Sequence, residues 1–214
     1  MRKIVRYSIN LIGCFFCFFL LSFFSFQSTA YPAASSHFDT VQKIYIGYYQ
    51  RAADPGGLIY WAGRLDNNGG NLTEIIEAFA NSTESRALYG TVNSSNISNV
   101  VNDIYLALFN RDAEAGGRDY YVNGFNTGRF TAATIMLNVL NGAVGGGDLQ
   151  SVNNKLDAAN LFTRTIDPEL DGSNFQVTYA GDGDAIAGRN FLALYATSVR
   201  VATQAETTAY LRPT

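Results

Sequence analysis

The chain has very little of the side chains on which most catalytic and metal centres depend. Its 214 residues include one histidine, His37, and two cysteines, Cys14 and Cys17. A Cys–His or Ser–His–Asp nucleophile system needs a histidine beside the nucleophile, and structural zinc sites need several His or Cys ligands. A glycosidase built on two carboxylates would need a deep cleft, which we do not expect in a small helical protein. The sequence therefore predicts a protein that is not an enzyme.

The long apolar run at the N-terminus predicts a signal peptide over residues 1–30. Three basic residues precede a Phe-rich stretch, residues 11–26, and small residues lead to a cleavage site after Ala30. The alternatives are an uncleaved anchor, for which the stretch is short beside the about 20 residues of a spanning helix, and a lipid anchor at Cys14, which lies too early in the stretch. We expect a secreted protein without a membrane span, in the periplasm, at the cell surface or outside the cell.

Cleavage would leave a chain without cysteine and with more acidic than basic residues. It would remove three of the 15 basic residues, leaving 12 against 18 acidic ones, a net charge of −6. No disulfide could then stabilise the fold, so an apolar core must do so. Nucleic acid and anionic lipid attract clusters of Lys and Arg, and no such cluster remains. We therefore expect no nucleic-acid partner.

Apolar residues at helical spacing dominate the rest of the sequence. Residues 31–40, rich in Pro, Ala and Ser, predict a flexible tether. From Val41 onward apolar residues recur at three- and four-residue intervals, most clearly from Ile97 to Phe109, and nothing sustains the alternation of a strand. The pattern predicts an all-α fold. Its expected core is Tyr45, Tyr49, Trp61, Phe79, Tyr105, Phe109, Tyr121, Leu156 and Phe162.

Polar residues indicate where several of these helices begin. Asn71 with Glu74 has the spacing of a capping box, and Thr203 with Glu206 can start a last short helix. Asp184 is suited to cap a further helix by accepting from its first backbone N–H groups.

One stretch of the sequence is repeated. The run from Val41 to Arg51 is matched sixty residues later by the run from Val101 to Arg111, and each continues into a Gly-Gly turn and an aromatic pair. This predicts two tandem copies of a short multi-helix unit, residues 41–90 and 91–148, followed by a helical C-terminal extension, residues 149–214. A unit of this size buries its apolar face poorly alone, so we expect all three to pack as one body.

The repeated motif resembles that of a known family. Its elements are an Ile-Tyr helix, Arg51, the turn Asp54-Pro55-Gly56-Gly57, the pair Tyr60-Trp61 and a closing Ser82-x-Glu84. It resembles the bacterial domain of unknown function 4214, which is similar in helical fold to the phycobilisome linker domain. The resemblance implies an accessory module without catalytic residues, since members occur in surface-layer proteins, repeats-in-toxin exoproteins and polysaccharide-modifying proteins. The second copy departs from the motif at Glu114, Ala115 and Tyr121.

Two pairs of charged residues occupy the repeated loop, Arg51 with Asp54 and Arg111 with Glu114. They could bind a carboxylate or hydroxyl of a ligand. The alternative is structural, with the acid capping the following helix while the arginine holds the loop. We expect the structural role for all four.

Six aromatic residues near this loop could form a platform on which sugars stack: Tyr48, Tyr49, Tyr60, Trp61, Tyr120 and Tyr121. Aromatic residues at helical spacing more often belong to the core, so their exposure decides between the two roles. The pairs Tyr60-Trp61 and Tyr120-Tyr121 are the candidate ligand-binding residues.

Asp182 and Asp184 are the candidate metal ligands, on a Gly-rich segment with further acids upstream. Oxygen donors on such a loop suit Ca²⁺, which takes about 6–8 ligands. The full calcium-loop signature is absent, because Ala193 stands where its closing Glu would be, and this favours a helix start instead. We expect no other cofactor.

These observations predict a secreted, non-catalytic helical module for extracellular assembly or attachment. Its partner would be a second copy, a surface-layer or matrix protein, or an exopolysaccharide. The alternative is a carbohydrate-binding or carbohydrate-modifying accessory protein, calcium-dependent if the acidic segment binds the ion. An exposed aromatic row beside a groove would favour the alternative, and a flat apolar patch would favour protein assembly.

Overall fold

The computed structural model of the chain describes residues 32–179, 181–197 and 200–212. The predicted signal peptide, residues 1–30, lies outside these residues. The helices are α1 (Pro32–Ser35), α2 (Phe38–Tyr49), α3 (Pro55–Asn67), α4 (Thr73–Ala80), α5 (Thr83–Tyr89), α6 (Ile97–Phe109), α7 (Ala115–Asn126), α8 (Ala132–Gly142), α9 (Gly146–Ile166), α10 (Gly181–Tyr195) and α11 (Gln204–Leu211). Two short strands, β1 (Ala196–Thr197) and β2 (Arg200–Val201), pair antiparallel. The predicted all-α class is confirmed, and no helix in the described ranges has the length and apolar character needed to cross a bilayer.

The centre of the fold is formed by α2, α6 and α9. α2 packs on both α6 and α9, and α6 packs on α9. Apolar side chains between them, among them Ile44, Leu108 and Phe162, are fully buried, and their removal from water is the main favourable contribution to folding. Eight of the nine predicted core residues are buried, and Trp61 is half-buried against them.

Residues 32–40 differ from the flexible tether that their composition predicted. They contain α1 and the start of α2, joined by hydrogen bonds from His37 N to Ala34 O (3.0 Å) and from Val41 N to His37 O (3.0 Å). α1 packs against α3, and Ala34 is fully buried. Because the side chains here are small, the backbone can approach α3 closely, and a linker-like composition forms a packed helical turn.

The C-terminal helix starts test two of the predicted caps. Thr203 is the N-cap of α11, as predicted, and it forms a capping box with Glu206. α10 begins at Gly181, so Asp184 lies inside its first turn rather than at its N-cap. The second prediction was therefore wrong by one helical turn.

The predicted capping box at α4 is also wrong. Leu72 is the N-cap, and the Asn71 side chain instead accepts a hydrogen bond from Thr73 N (2.9 Å). The Glu74 carboxylate, which a capping box would direct to the backbone, is paired with the Arg64 guanidinium of α3. A charge-assisted pair between helices thus replaces the local hydrogen bond.

Candidate functional site

Both segments that carry the repeated motif make the same turn after a helix. α2 and α6 each end at a residue with a left-handed backbone, Gln50 (φ 58°) and Asn110 (φ 57°). A side-chain amide on the helix then holds the loop: Gln42 Oε1 accepts from the backbone N–H eleven residues on (3.0 Å), and Asn102 Oδ1 does the same (2.9 Å). The two loops therefore have matching backbone support.

Arg51 is buried in the first loop and bonded to protein groups. It is 8 % exposed, and its guanidinium donates to Glu84 through Nε (2.8 Å) and Nη2 (3.0 Å) and to the Ala52 carbonyl (3.0 Å). It also lies 5.1 and 5.5 Å from the ring centroids of Tyr45 and Tyr49. Burial lowers the pKa of Arg51, but its interactions with Glu84 outweigh burial and the net shift is upward. The arginine joins the loop to α5.

Arg111 occupies the matching place in the second loop but is more exposed. Its side chain is 40 % exposed and lies 5.1 Å from the Tyr105 ring centroid. It donates to Asp148 through Nε (2.8 Å) and Nη2 (2.7 Å), and also to Glu114. Asp148 belongs to α9, so a carboxylate from α9 replaces the glutamate that closes the motif in the first segment. Sequence reasoning missed Asp148, because it lies beyond position 144, where the sixty-residue repeat would place that acid.

The two loop acids have different partners. Asp54 is the N-cap of α3, and its Oδ1 accepts from Gly57 N (2.7 Å). A Cβ at position 57 would overlap the Tyr45 hydroxyl, which accounts for the glycine. Glu114 is the N-cap of α7 but makes no side-chain cap bond, and its hydrogen bond with Arg111 lowers its pKa. Only Asp54 therefore stabilises a helix start with its side chain.

Asp54→Ala should lower the melting temperature more than Glu114→Ala does. Loss of an N-cap side chain costs about 1 kcal/mol, which corresponds to roughly 2–4 °C in a domain of this size. Glu114 makes no cap bond, so its removal should have the smaller effect. Differential scanning calorimetry of both variants measures the difference, and equal shifts would contradict the capping role of Asp54.

Four of the six candidate aromatic residues pack in the core of the fold: Tyr48, Tyr49, Trp61 and Tyr121. Tyr49 stacks on Phe79 with ring centroids 4.4 Å apart, and Trp61 meets the same ring edge-on at 5.5 Å. Burial raises the pKa of Tyr121 to about 12. Tyr48, Tyr49 and Tyr121 are buried, and Trp61 is half-buried against the core. Their arrangement is that of packing residues.

Tyr60 and Tyr120 are exposed at corresponding places on α3 and α7. They are 54 % and 47 % exposed. Each ring makes an edge contact at 5.1 Å with the aromatic residue that follows it. Each also lies beside an arginine, with Arg64 at 5.8 Å from the Tyr60 centroid and Arg129 at 5.0 Å from that of Tyr120. The structure thus presents two Tyr–Arg pairs to solvent.

Asp182 and Asp184, the candidate metal ligands, lie in the first turn of α10. Carboxylates at this position are favoured by the partial positive charge of a helix N-terminus. The described parts of the chain contain no group of three or more His, Cys, Asp or Glu side chains that could hold a metal ion. A calcium role for the pair stays a prediction.

A groove of about 540 Å³ lies between α2, α5, α6, α9 and α10. Aliphatic side chains form about half of its lining, and the described residues that line it include no aromatic side chain. Its polar residues are three amides and three charged groups: Gln50, Asn110, Asn190, Asp103, Lys155 and Arg189. The residues that end α2 and α6, Gln50 and Asn110, both face it, so the groove lies where these two helices end.

Lys155 is the most deeply buried charged group of this groove. It is 4 % exposed and donates from Nζ to Asn110 Oδ1 (2.8 Å). Burial lowers its pKa to about 8, because an ammonium loses its hydration. Sequence reasoning missed this residue, although a signal was present. Lys155 falls three residues after Val152 and four before Ala159, in the inward stripe of α9.

α9 contacts the loops of both segments. Near its C-terminus, Thr163 Oγ1 lies 2.7 Å from the Ala53 carbonyl of the first loop. Near its N-terminus, Ser151 Oγ donates to the Phe109 carbonyl (3.2 Å), and Asp148 is bonded to Arg111 of the second loop. One helix of the predicted C-terminal extension therefore supports both segments.

These features define a helical module with a loop held by arginine. The model of the family described as Domain of unknown function (DUF4214) matches residues 22–89, a range that includes Arg51, Asp54 and Glu84. The match supports the domain family that the motif resembles, over the first segment. No match was found among curated proteins or among solved structures. The likeness to phycobilisome linkers and the surface-layer setting stay expectations.

Proposed function

We propose that the protein is a secreted, non-catalytic helical module that attaches to a protein partner outside the inner membrane. The observation that carries the proposal is the pair of exposed tyrosines, Tyr60 and Tyr120, at corresponding positions and each beside an arginine. The signal peptide that the sequence predicts for residues 1–30 supports the location. The partner is a surface-layer or matrix protein or a second copy of the chain.

Tyrosine and arginine are suited to attachment. Both are enriched among the residues that contribute most to binding at protein interfaces, where tyrosine offers a large, rigid contact area at a small loss of conformational entropy. Four other aromatic residues of the motif pack in the core. Tyr60 and Tyr120 remain half in solvent, so core packing does not account for them.

Two similar anchors on one chain allow bivalent attachment. When the first anchor binds, the second acts at a high effective concentration, and overall affinity rises without any new contact. We propose that the two segments, residues 41–90 and 91–148, are copies of one unit that each present a tyrosine at the same repeat position. The arginine beside it comes from a different place in each copy, Arg64 within α3 and Arg129 after α7. The second copy has meanwhile replaced its closing acid by Asp148 of α9.

The alternative function is binding or modification of carbohydrate as an accessory protein, with an exopolysaccharide as the partner. An aromatic row beside a groove would support that function, but the described lining of the 540 Å³ groove has no aromatic side chain. This observation favours a protein partner over a carbohydrate.

The test is co-sedimentation of the mature chain, residues 31–214, with the cell-envelope and secreted-matrix fraction of the producing cells. We expect Tyr60→Ala and Tyr120→Ala each to weaken binding about 30-fold, since truncation of an interface anchor costs about 2 kcal/mol. Either single variant loses bivalent attachment, and the double variant, which lacks both anchors, should bind more weakly still. Size-exclusion chromatography with light scattering detects a second copy as the partner.

The matched control is Phe175→Ala, because Phe175 is exposed to the same degree (53 %) but lies outside the motif. Its binding should equal that of the parent chain. Protease treatment of the fraction should abolish binding, and periodate, which cleaves sugar diols, should not. The reverse pattern would establish the carbohydrate alternative instead, and full binding by the double variant would refute the tyrosine anchors.

A further inference from the structure

The groove between α2, α5, α6, α9 and α10 contains a buried cation without a carboxylate partner. The Lys155 ammonium has three N–H donors, and within the described chain one of them is used, on Asn110 Oδ1. No ion pair joins Lys155 to an acid of the described residues, Asp103 of the same groove included. A buried charge is unfavourable unless it is paired, so the unused donors are a place for an anion from outside.

A second cation, Arg189, lines the groove, and its carboxylate partner is also bonded to Arg51. Arg189 of α10 donates from Nη1 to Glu84 Oε1 (2.9 Å), and Glu84 also accepts two hydrogen bonds from Arg51. One carboxylate therefore serves two guanidinium groups. The groove is lined by two basic groups against one acid, Asp103, in a chain whose overall charge is negative. Its charge is complementary to an anionic ligand.

Aliphatic side chains lie in the same groove beside these cations. Leu192 is buried in its wall, and Leu106 is an exposed aliphatic residue on α6. Amide side chains at Gln50 and Asn190 add hydrogen-bonding groups. The volume, about 540 Å³, is within the usual range of ligand sites, about 300–1,000 Å³. The ligand that fits this lining has a carboxylate and an aliphatic group close together.

We propose that the groove binds the C-terminal carboxylate of a partner protein chain that ends in an aliphatic residue. A C-terminal residue has its carboxylate and its side chain on the same carbon atom. This spacing matches the groove, where the cations lie beside aliphatic side chains. A chain end can also reach a recessed ammonium, which a segment within a folded surface reaches less easily. Capture of C-terminal carboxylates is an established mode of peptide recognition.

The experiment titrates the mature chain with the acetylated tetrapeptide Ala-Ala-Ala-Leu, as free acid and as C-terminal amide, and follows binding by NMR chemical shifts. We expect the free acid to bind at least about tenfold more tightly, the effect of one charge-assisted hydrogen bond. Lys155→Met should reduce the affinity for the free acid to that for the amide. Leu106→Ala should weaken binding of the leucine peptide but not that of one ending in glycine.

The matched control is Arg164→Met, which removes one positive charge from an exposed position of the same helix, nine residues from Lys155. It should leave peptide binding unchanged. Equal affinity of acid and amide, or acid binding that survives Lys155→Met, would overturn the proposal. Binding of glucuronate that depends on Lys155, without binding of the peptide acid, would overturn it in favour of an acidic sugar.

The groove and the tyrosine anchors can be tested separately. The groove is lined by α2, α5, α6, α9 and α10, whereas Tyr60 and Tyr120 lie on α3 and α7. The Tyr60→Ala/Tyr120→Ala variant should therefore bind the peptide acid as the parent chain does. Peptide binding that fails in this variant alone would show that the site is not the groove.

Discussion

Arg51→Ala should lower the free energy of unfolding by about 2–3 kcal/mol, the usual range when a buried side chain is lost together with its hydrogen bonds. Arg111→Ala should lower it by about 1 kcal/mol, the value for solvent-exposed pairs. The two arginines occupy corresponding loops and have similar partners, so each is the control for the other.

The difference follows from burial. Arg51 is 8 % exposed, and its loss would leave a space beside Tyr45 and Tyr49 and remove two of the hydrogen bonds that Glu84 accepts. The side chain of Arg111 is 40 % exposed, so water can hydrate Asp148 after the substitution. Glu84 is 26 % exposed and keeps its hydrogen bond from Arg189. The larger cost therefore comes from the lost packing and hydrogen bonds of the buried guanidinium rather than from an unpaired acid.

Urea-induced unfolding followed by circular dichroism measures both variants. The dependence of the free energy on urea should be unchanged, so that the midpoints report stability alone. If Arg51→Ala destabilised the protein no more than Arg111→Ala, burial of the first guanidinium would not be what stabilises its loop.

Raising the pH from about 8 to about 9.5 should increase the free energy of unfolding by about 1–2 kcal/mol, because the buried Lys155 loses its charge. Burial lowers the pKa of Lys155 from 10.5 to about 8 in the folded chain. Above about pH 8 the unfolded chain therefore binds more protons than the folded chain, so stability rises with pH until the unfolded lysine also loses its proton. Urea unfolding at closely spaced pH values measures the slope.

Other titrating groups set the limits of this measurement. Asp103 of α6 and Arg189 of α10, the latter paired with Glu84 of α5, are the charged groups that share the groove, whereas α2 and α5 contribute uncharged side chains to its described lining. Burial raises the pKa of Tyr89, so ionisation of tyrosines in the unfolded chain near pH 10 acts in the opposite direction. The window therefore ends at about pH 9.5.

Lys155→Met isolates the effect of the lysine. The variant should be more stable than the parent chain at pH 7, where the parent buries a charge, and its stability should change less between pH 8 and 9.5. Arg164→Met, at an exposed position of the same helix, should keep the slope of the parent. A parent slope that persists in Lys155→Met would show that another group titrates.

Helix periodicity was enough to predict the fold class and most of the core. The stripe from Ile97 to Phe109 forms α6 at the same residues, and the last helix starts at Thr203 with Glu206 as predicted. Periodicity failed where a distant contact decides local structure. Glu74 is paired with Arg64 rather than with its own backbone, and Ala34 is buried against α3.

The groove was less accessible to sequence reasoning than the repeated loop. Arg51 and Asp54 stand in a visible motif, and their partners Glu84 and Gly57 belong to the same motif. The groove joins five helices, and its lysine stands between apolar residues of α9, where a single charge is easily taken for a surface residue. Predicting it would have required the packing of α9 against α6, which brings Lys155 to Asn110 across 45 positions of the chain.

The position of α9 has a consequence for how such units can be exchanged between proteins. The range that matches the family ends at residue 89, but the first loop is also supported by Thr163 and the second by Ser151 and Asp148. A fragment that ends at residue 89 would lack α9, the helix that contacts both loops. Transplantation of this unit into another protein therefore has to include α9 or supply a helix of equivalent chemistry.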